Sequence, residues 1–426
     1  MPKFILKSSN ERIRELGGST MLSENTIQII KSTVPVLEQH GLTITKCFYK
    51  KLFTNHPELL NVFNHANQQQ ERQQMALAQA VLASAKHIDQ LAAIVPVVKQ
   101  IAHKHRSLGV KKEHYPIVGK HLLEAIQEVL GDAATDDIIQ AWAEAYGVIA
   151  DIFISTETEM YDQAAHQSGG WEDFRAFVVA RKQEESDKIT SFYLEPQDGG
   201  ALASFEPGQY VSVKVDMPNE AHTHIRQYSL SDSPRKAYYR ITVKREDAVQ
   251  DRPAGKVSVY LHEQVKEGDV LYLSAPAGDF TLQSEDQRPH VWISAGVGVT
   301  PMISMLKAHS EQANGQPAIF IHAAEHGAAH AFQDEVAAWS KDEAQAKTYI
   351  CYSEPTEEDK HKQLYQHEGR IDAEWLQSIL PTTDAKFYVC GSAPFMETVV
   401  NTLRSLGAQE SDIHSEYFGP KGSLKL

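Results

Sequence analysis

His105 closes an apolar helical stretch. Val97, Val98, Ile101 and Ala102 precede it on one side, and Leu108 and Val110 follow. A neutral imidazole in an apolar wall can ligate a metal, and iron carried in an apolar prosthetic group such as haem suits that wall. The chain has 20 histidines, so a histidine alone proves little; its surroundings set His105 apart. Upstream lie Cys47-Phe48-Tyr49 and Asn61-Val62-Phe63-Asn64. Gln73, Leu77 and Val81 recur one helical turn apart and share a face. Aromatic and leucine residues at such spacing also suit an ordinary helical core.

A second constellation, Arg226-Gln227-Tyr228-Ser229, ends a strand-like segment. It supplies a cation for a flavin phosphate, a ring for the isoalloxazine and a hydroxyl for its N5 edge. An ordinary strand with a surface arginine would look the same in isolation. Two further segments favour the flavin. Pro207-Gly208-Gln209-Tyr210 lies one hairpin upstream, and Gly255-Lys256-Val257-Ser258 opens a helix whose first N–H groups can hold pyrophosphate. Gly296-Val297-Gly298-Val299-Thr300-Pro301 is short of the full dinucleotide fingerprint, but it follows an apolar strand and precedes a helix. Cys390-Gly391 follows the last central strand, where a structural buried thiol is the plain alternative.

These groups need three kinds of scaffold. Residues 21–168 read as helices without strands: Ser23 suits an N-cap, Asn55-His56-Pro57 marks a break, and Ile138, Trp142, Ala145, Ile149 and Phe153 form one helix face. Ser168-Gly169-Gly170-Trp171 has the composition of a hinge. Residues 169–285 alternate with period two, as in Val211, Val213 and Val215 or Tyr239, Ile241 and Val243, which predicts half-buried strands in an antiparallel barrel. Residues 286–426 alternate strands with helices, which predicts an α/β parallel-sheet domain. Residues 1–20 read as a flexible N-terminal extension or an upstream start, without the features of a signal peptide.

Composition narrows the class. A length of 426 residues suits a multidomain protein, and a net charge of -15 excludes the basic face that nucleic acid requires. Three scattered cysteines, Cys47, Cys351 and Cys390, exclude a disulfide framework or an iron–sulfur cluster and suit a reducing compartment. No apolar run reaches the roughly 20 residues of a bilayer span. The expectation is a cytoplasmic, monomeric enzyme with no membrane span.

The segment from Met21 to about Gln167 resembles the globin domain of the flavohaemoglobins. The resemblance implies that His105 is the proximal ligand of a haem b iron. Tyr49 would donate its hydroxyl to bound oxygen, Gln73 would be the distal-helix glutamine, and Leu77 would crowd the sixth site. Phe63 would wedge the haem, Val81 would join its pocket, and Tyr115 and Glu157 would hydrogen-bond around His105. A carboxylate behind the imidazole raises electron donation to iron and favours oxygen activation over storage. A tyrosine hydrogen bond to partly negative oxygen is worth roughly 1.5–3 kcal/mol.

Trp171 to Pro420 resembles the ferredoxin-NADP reductase family. That resemblance implies an FAD site at Tyr210, Arg226, Gln227, Tyr228, Ser229 and Gly255 to Ser258, and an NAD(P)H site at Gly296, Gly298, Thr300, Pro301, Cys390 and Gly391. The ending His414-Ser415-Glu416-Tyr417-Phe418-Gly419-Pro420 resembles that of the flavohaemoglobins. Phe418 would stack on the flavin and yield to nicotinamide, and Glu416 would lie near the flavin–haem boundary; Tyr417 stands where the family often has cysteine. The implied activity is nitric oxide dioxygenation: NAD(P)H reduces FAD, FAD reduces haem iron, and dioxygen plus nitric oxide give nitrate. Two alternatives compete with it. One is an oxygen-binding or sensing haem protein whose reductase keeps iron ferrous. The other is a flavin reductase with a partner-binding helical domain. The choice between NADH and NADPH is open at this level.

Overall fold

Ser23 caps the first helix: its hydroxyl accepts from the Thr26 N–H at 3.0 Å, as its place ahead of an apolar period predicts. The computed structural model describes residues 22–63, 71–250, 253–312, 316–342 and 345–419. The readings placed on residues 1–20, Met21, Asn64 and Pro420 lie outside these. The chain divides into two units, one of residues up to His166 with Glu220–Ile225, the other from Gln167 to Asn219 and from Arg226 onward.

The first unit is helical: α1 (Glu24–Ser32), α2 (Val34–Asn55), α3 (Arg72–Lys86), α4 (Val95–Leu108), α5 (His114–Leu130) and α6 (Asp136–His166). Pro57 stops α2, and His56 leaves the helical region at φ -133 and ψ 66. The α6 stripe packs on α1, α4 and α5 and buries Trp142 and Ala145. By length and composition alone α6 could cross a membrane, but Glu144, Asp151, Glu157, Glu159 and Asp162 interrupt it, so no apolar run reaches the length of a bilayer span.

The second unit begins at the glycine-rich junction. Trp171 is fixed there, its indole N–H donating to the Leu273 carbonyl at 3.0 Å. An antiparallel sheet follows in the order β4-β3-β6-β1-β2-β5. Its strands are β1 (Phe174–Ser186), β2 (Ile189–Pro196), β3 (Tyr210–Val215), β4 (His224–Ser229), β5 (Tyr239–Lys244) and β6 (Val270–Ser274), with α7 (Lys256–Glu263) before β6. A bridge between Leu230 and Ile241 joins the two edges, so the sheet closes into a barrel.

The half-buried expectation fails on β3 and β5. Ser212, Arg240 and Thr242 are as buried as the valines and isoleucines between them. Thr242 is tied to the hydroxyls of Ser191 and Ser231 at 2.8 and 2.7 Å, and Arg240 meets Glu335 of the α/β half. Polar residues that find hydrogen-bond partners inside the fold keep their period of two and lose their contact with water.

The α/β half is built on a parallel sheet in the order β10-β9-β8-β7-β11-β12. Its elements in chain order are β7 (His290–Ala295), α8 (Val299–Gln312), β8 (Ala318–Ala324), α9 (Gln333–Asp342), β9 (Ala346–Tyr352), α10 (Glu357–Lys362), β10 (His367–Glu368), α11 (Ala373–Ile379), β11 (Lys386–Cys390), α12 (Ala393–Ser405) and β12 (Ile413–Glu416). Trp292, Phe320 and Tyr388 pack on one face, and Val291, Ile293, Phe387 and Val389 on the other.

This core encloses neutral imidazoles. Burial holds His330 at a pKa of about 4, and burial followed by neighbouring His309 does the same for His290. The unfolded chain binds these protons near pH 6.5, so stability is full above that value and falls as pH drops toward 4. A depression of this size costs about 3 kcal/mol per histidine at full effect. Denaturant unfolding between pH 7 and pH 4 should therefore show a falling midpoint, with a shallower fall in His330→Gln. An identical slope in that variant would refute the assignment.

Candidate functional site: an imidazole triangle and two phosphate cradles

α4 presents His105 in its last turn, and Gly109 at φ 80 ends the helix. The His105 side chain retains 32% exposure, whereas the Glu157 side chain retains 4%. His105 Nδ1 and Glu157 Oε1 are 2.7 Å apart, and the Tyr115 hydroxyl donates to the same oxygen at 2.6 Å. Tyr115 also lies 3.3 Å from Nδ1. Two donors on one oxygen make burial of the carboxylate tolerable. Burial, followed by the charge of Glu157, pushes the Tyr115 phenol pKa up, so it stays a donor. With Nδ1–H directed at a carboxylate, the lone pair sits on Nε2, the nitrogen able to bind a metal.

The three residues come from α4, α5 and α6, and α6 supplies more than the carboxylate. Phe153 lies one turn before Glu157 and approaches the His105 ring at 5.8 Å. Tyr161 lies one turn after it and donates to the Val110 carbonyl at 2.8 Å, fixing the corner beyond α4. The stripe read through Phe153 thus extends at the same spacing through Glu157 to Tyr161, a signal the periodicity contained.

Tyr49 is buried on α2 among aromatic rings. Phe63 approaches it edge-on at 5.8 Å, and Phe53 stacks on it at 5.7 Å. Phe53 is one turn from Tyr49, and its place in the sequence gave no sign of a role. Gln73, Leu77 and Val81 share a face of α3 and are half-buried. Phe63, Leu77 and Val81 therefore keep apolar surface outside the close-packed core. Among the described residues no group of three or more His, Cys, Asp or Glu could hold a metal ion. An imidazole set among Tyr115, Phe153 and Glu157, in a helical unit that also keeps uncovered apolar surface at Phe63, Leu77 and Val81, fits a metal that brings its own apolar macrocycle, and haem meets that description.

In the second unit β4 carries Arg226 and Tyr228 on one face, with Gln227 pointing the other way. Gln227 Nε2 donates to the Ser212 hydroxyl at 3.1 Å, which ties β4 to β3. Burial lowers the Arg226 pKa and raises that of Tyr228; an anionic phosphate would offset the cost of desolvating the guanidinium. Ser229 is buried. The Leu230 N–H donates to the Gln209 carbonyl at 2.9 Å, so the Pro-Gly-Gln-Tyr segment adjoins the end of β4. Tyr210 packs on Gly278, where an added Cβ would lie 3.0 Å from the ring. Gly255 caps α7 without a side chain, and the Ser258 hydroxyl accepts from the Glu246 N–H at 3.2 Å. Lys256 is exposed and Val257 buried. A helix start of this kind fits pyrophosphate.

Gly296 and Gly298 differ in what they do. Gly296 adopts φ +53 with open space above it, room for a phosphate at the start of α8. At Gly298 an added Cβ would lie 2.3 Å from the Cys390 carbonyl oxygen, so the turn touches the Cys390-Gly391 backbone directly. Thr300 donates to the Val297 carbonyl at 3.0 Å, and Pro301 is buried in the first turn of α8. Cys390 pairs in register with Glu416, and Phe418 beyond it is 49% exposed. Burial, followed by Glu416, raises the Cys390 thiol pKa well above its usual value. Burial pushes Cys351 up to about 12, and burial with Glu128 raises Cys47.

A globin family model matches residues 46–153, an oxidoreductase FAD-binding domain model residues 176–282, and an oxidoreductase NAD-binding domain model residues 292–401. A flavohemoprotein of Bacillus cereus (strain ATCC 10987 / NRS 248) is 58% identical over 405 residues, covering 95% of this chain and 100% of the relative. The chain belongs to the flavohaemoprotein family. Another flavohaemoprotein, from Bacillus subtilis (strain 168), is 54% identical over 404 residues, 95% of this chain and 99% of its own. The crystal structure of flavohemoglobin from Malassezia yamatoensis with bound FAD and heme superposes with a TM-score of 0.82 at 27% identity, covering 93% of this chain and 100% of that one. The FAD/NAD-binding domain of nitric oxide dioxygenase from Vibrio cholerae O1 biovar El Tor matches at 40% identity and TM-score 0.53, over 58% of this chain and 99% of that one. As a family member the chain is an oxidoreductase with globin, FAD-binding and NAD-binding domains.

Proposed function

We propose that this flavohaemoprotein is a nitric oxide dioxygenase that draws electrons from NAD(P)H. The observation that carries the reading is the imidazole triangle: Glu157 accepts from His105 Nδ1 at 2.7 Å in a chain that also carries two phosphate cradles. When bound, nicotinamide, FAD and haem supply hydride, its division into single electrons, and the oxidation of nitric oxide by dioxygen to nitrate. His105 holds the iron through Nε2, and Glu157 keeps that imidazole electron-rich while Tyr115 fixes the carboxylate. Tyr49 and Gln73 offer polar hydrogens to dioxygen, and Leu77, Val81 and Phe63 shape the apolar pocket. Arg226 neutralises flavin phosphate, Tyr210 and Tyr228 flank the ring system, and Ser229 orients its N5 edge. Gly296, Gly298, Thr300 and Pro301 seat the nucleotide phosphates, while Cys390, Gly391, Glu416 and Phe418 adjoin the nicotinamide. Domain bounds of 21–168, 169–285 and 286–426, a cytoplasmic location and a monomeric state complete the proposal.

Purified protein, air-equilibrated with NADH and pulsed with nitric oxide, should consume the gas in step with NADH and form nitrate. Tyr49→Phe should release oxygen roughly 10- to 100-fold faster, the equivalent of one charge-assisted hydrogen bond. The same variant should still reduce ferricyanide at the parental rate. Unchanged oxygen release would remove Tyr49 from the mechanism. NADH loss without matching nitric oxide loss would favour an oxygen-holding protein.

A further inference from the structure

We propose that Lys307 and Asp232 are positioning residues for hydride transfer, locking the nucleotide helix α8 to the flavin strand β4. The proposal rests on the oxidoreductase reading above. It starts from Arg240, a residue the alternation placed in solvent and the structure leaves 1% exposed.

Arg240 anchors a charge network in which Arg240 and Asp232 are buried and Lys307 and Glu335 are half-buried. Its Nη1 meets Glu335 Oε1 of α9 at 2.7 Å, and its Nε lies 3.8 Å from Asp232 Oδ2. Lys307 of α8 closes the ring, with Nζ 3.0 Å from Asp232 Oδ1 and 2.8 Å from Glu335 Oε2. Asp232 is three residues beyond Ser229, and Lys307 is two turns beyond Thr300. The network therefore joins the residues just past the flavin motif to the helix that begins at the nucleotide turn.

The joint is a stripe rather than a point. Ser304, Lys307 and Glu311 recur three or four apart, on one face of α8. Ser304 donates to the Asp232 carbonyl at 2.8 Å, and Glu311 accepts from the Ser233 hydroxyl at 2.6 Å. Met305 of the same helix lies against Gly208, where an added Cβ would be 2.5 Å from its terminal methyl. A helix rises about 1.5 Å per residue, so Ser304 pins a point about 6 Å from Thr300. Buried ion pairs contribute little to stability compared with apolar packing, and their best-attested use is to fix register. Here the register is that of the nicotinamide against the flavin. Hydride, two electrons with their proton, leaves nicotinamide C4 and adds to flavin N5, giving oxidised nicotinamide and reduced flavin. A misplacement of about 1 Å in such a step costs on the order of 100-fold.

The test uses the full-length protein loaded with haem and FAD, mixed anaerobically with NADH or with NADH deuterated at the transferred position. Lys307→Met should slow flavin reduction at saturating NADH by about 10- to 100-fold and raise the isotope effect. FAD content and the NADH dissociation constant should stay within about twofold of the parent, since the phosphate contacts are retained. Lys307→Arg should restore most of the rate. Independently of turnover, amide hydrogen exchange of Gly296 to Thr300 should quicken in Lys307→Met and in the milder Ser304→Ala. Parental rate, isotope effect and exchange in Lys307→Met would overturn the proposal, as would a loss traced wholly to weaker NADH binding. Absence of flavin reduction in the parent protein would overturn the oxidoreductase reading itself, and the proposal with it.

Discussion

His105→Ala should purify without a haem absorption band and with its FAD in place. Removing the imidazole deletes the one side chain whose Nε2 the Glu157 hydrogen bond leaves ready for metal. It also leaves a nearly buried carboxylate with Tyr115 as its remaining donor in the triangle. A buried carboxylate that loses a donor is expensive, so the helices around Glu157 should loosen. Nitric oxide consumption should fall by more than about 100-fold, because the proposed iron ligand is gone. Ferricyanide reduction by NADH should be untouched, since the flavin and nucleotide cradles are built from other elements. Pigment content by absorbance and flavin content by extraction decide the matter. Normal haem spectra in the variant would disqualify His105. Glu157→Gln is the finer companion: it keeps an acceptor for Nδ1–H and removes the charge, so haem stays bound while its reduction potential rises.

Gly298→Ala should disable the nucleotide half while both pigments remain. The added methyl lies 2.3 Å from the Cys390 carbonyl oxygen, 2.6 Å from its carbon and 2.9 Å from the Gly391 nitrogen. All three are backbone atoms at the end of a central strand, so the glycine turn must yield. That displaces the start of α8, the proposed seat of the nucleotide phosphates, and flavin reduction by NADH should drop on the order of 100-fold. Gly296→Ala is the instructive contrast. The space there is open, and the cost is a side chain at positive φ, roughly 1–2 kcal/mol. It should weaken the protein modestly and slow reduction far less. Stopped-flow reduction of the two variants separates steric from conformational cost; equal rates would refute the distinction.

The architecture was legible because each of the three stretches has one dominant pattern. The α6 stripe from Ile138 to Phe153, the alternation in β3 and β5, and the glycine turn after β7 all survive into the structure. The misreadings share a cause. Arg240 and Thr242 alternate with apolar residues like solvent-facing groups, but their burial depends on Glu335 and Ser191, far away in sequence. The contact of Gly298 with Cys390 is equally invisible along the chain. Phe53 escaped notice because an aromatic at helical spacing on α2 looks like any core residue. Glu157 and Tyr115 were named through resemblance; spacing alone did not single them out, although the α6 period passes through Glu157.

The raised thiols bear on survival under the conditions the proposed reaction implies. Nitric oxide and reduced oxygen species attack sulfur mainly as thiolate. Each cysteine of this chain is shifted toward the protonated form, Cys390 furthest and Cys351 to about 12. The protein can therefore work amid nitrosating and oxidising by-products without offering them a ready thiolate.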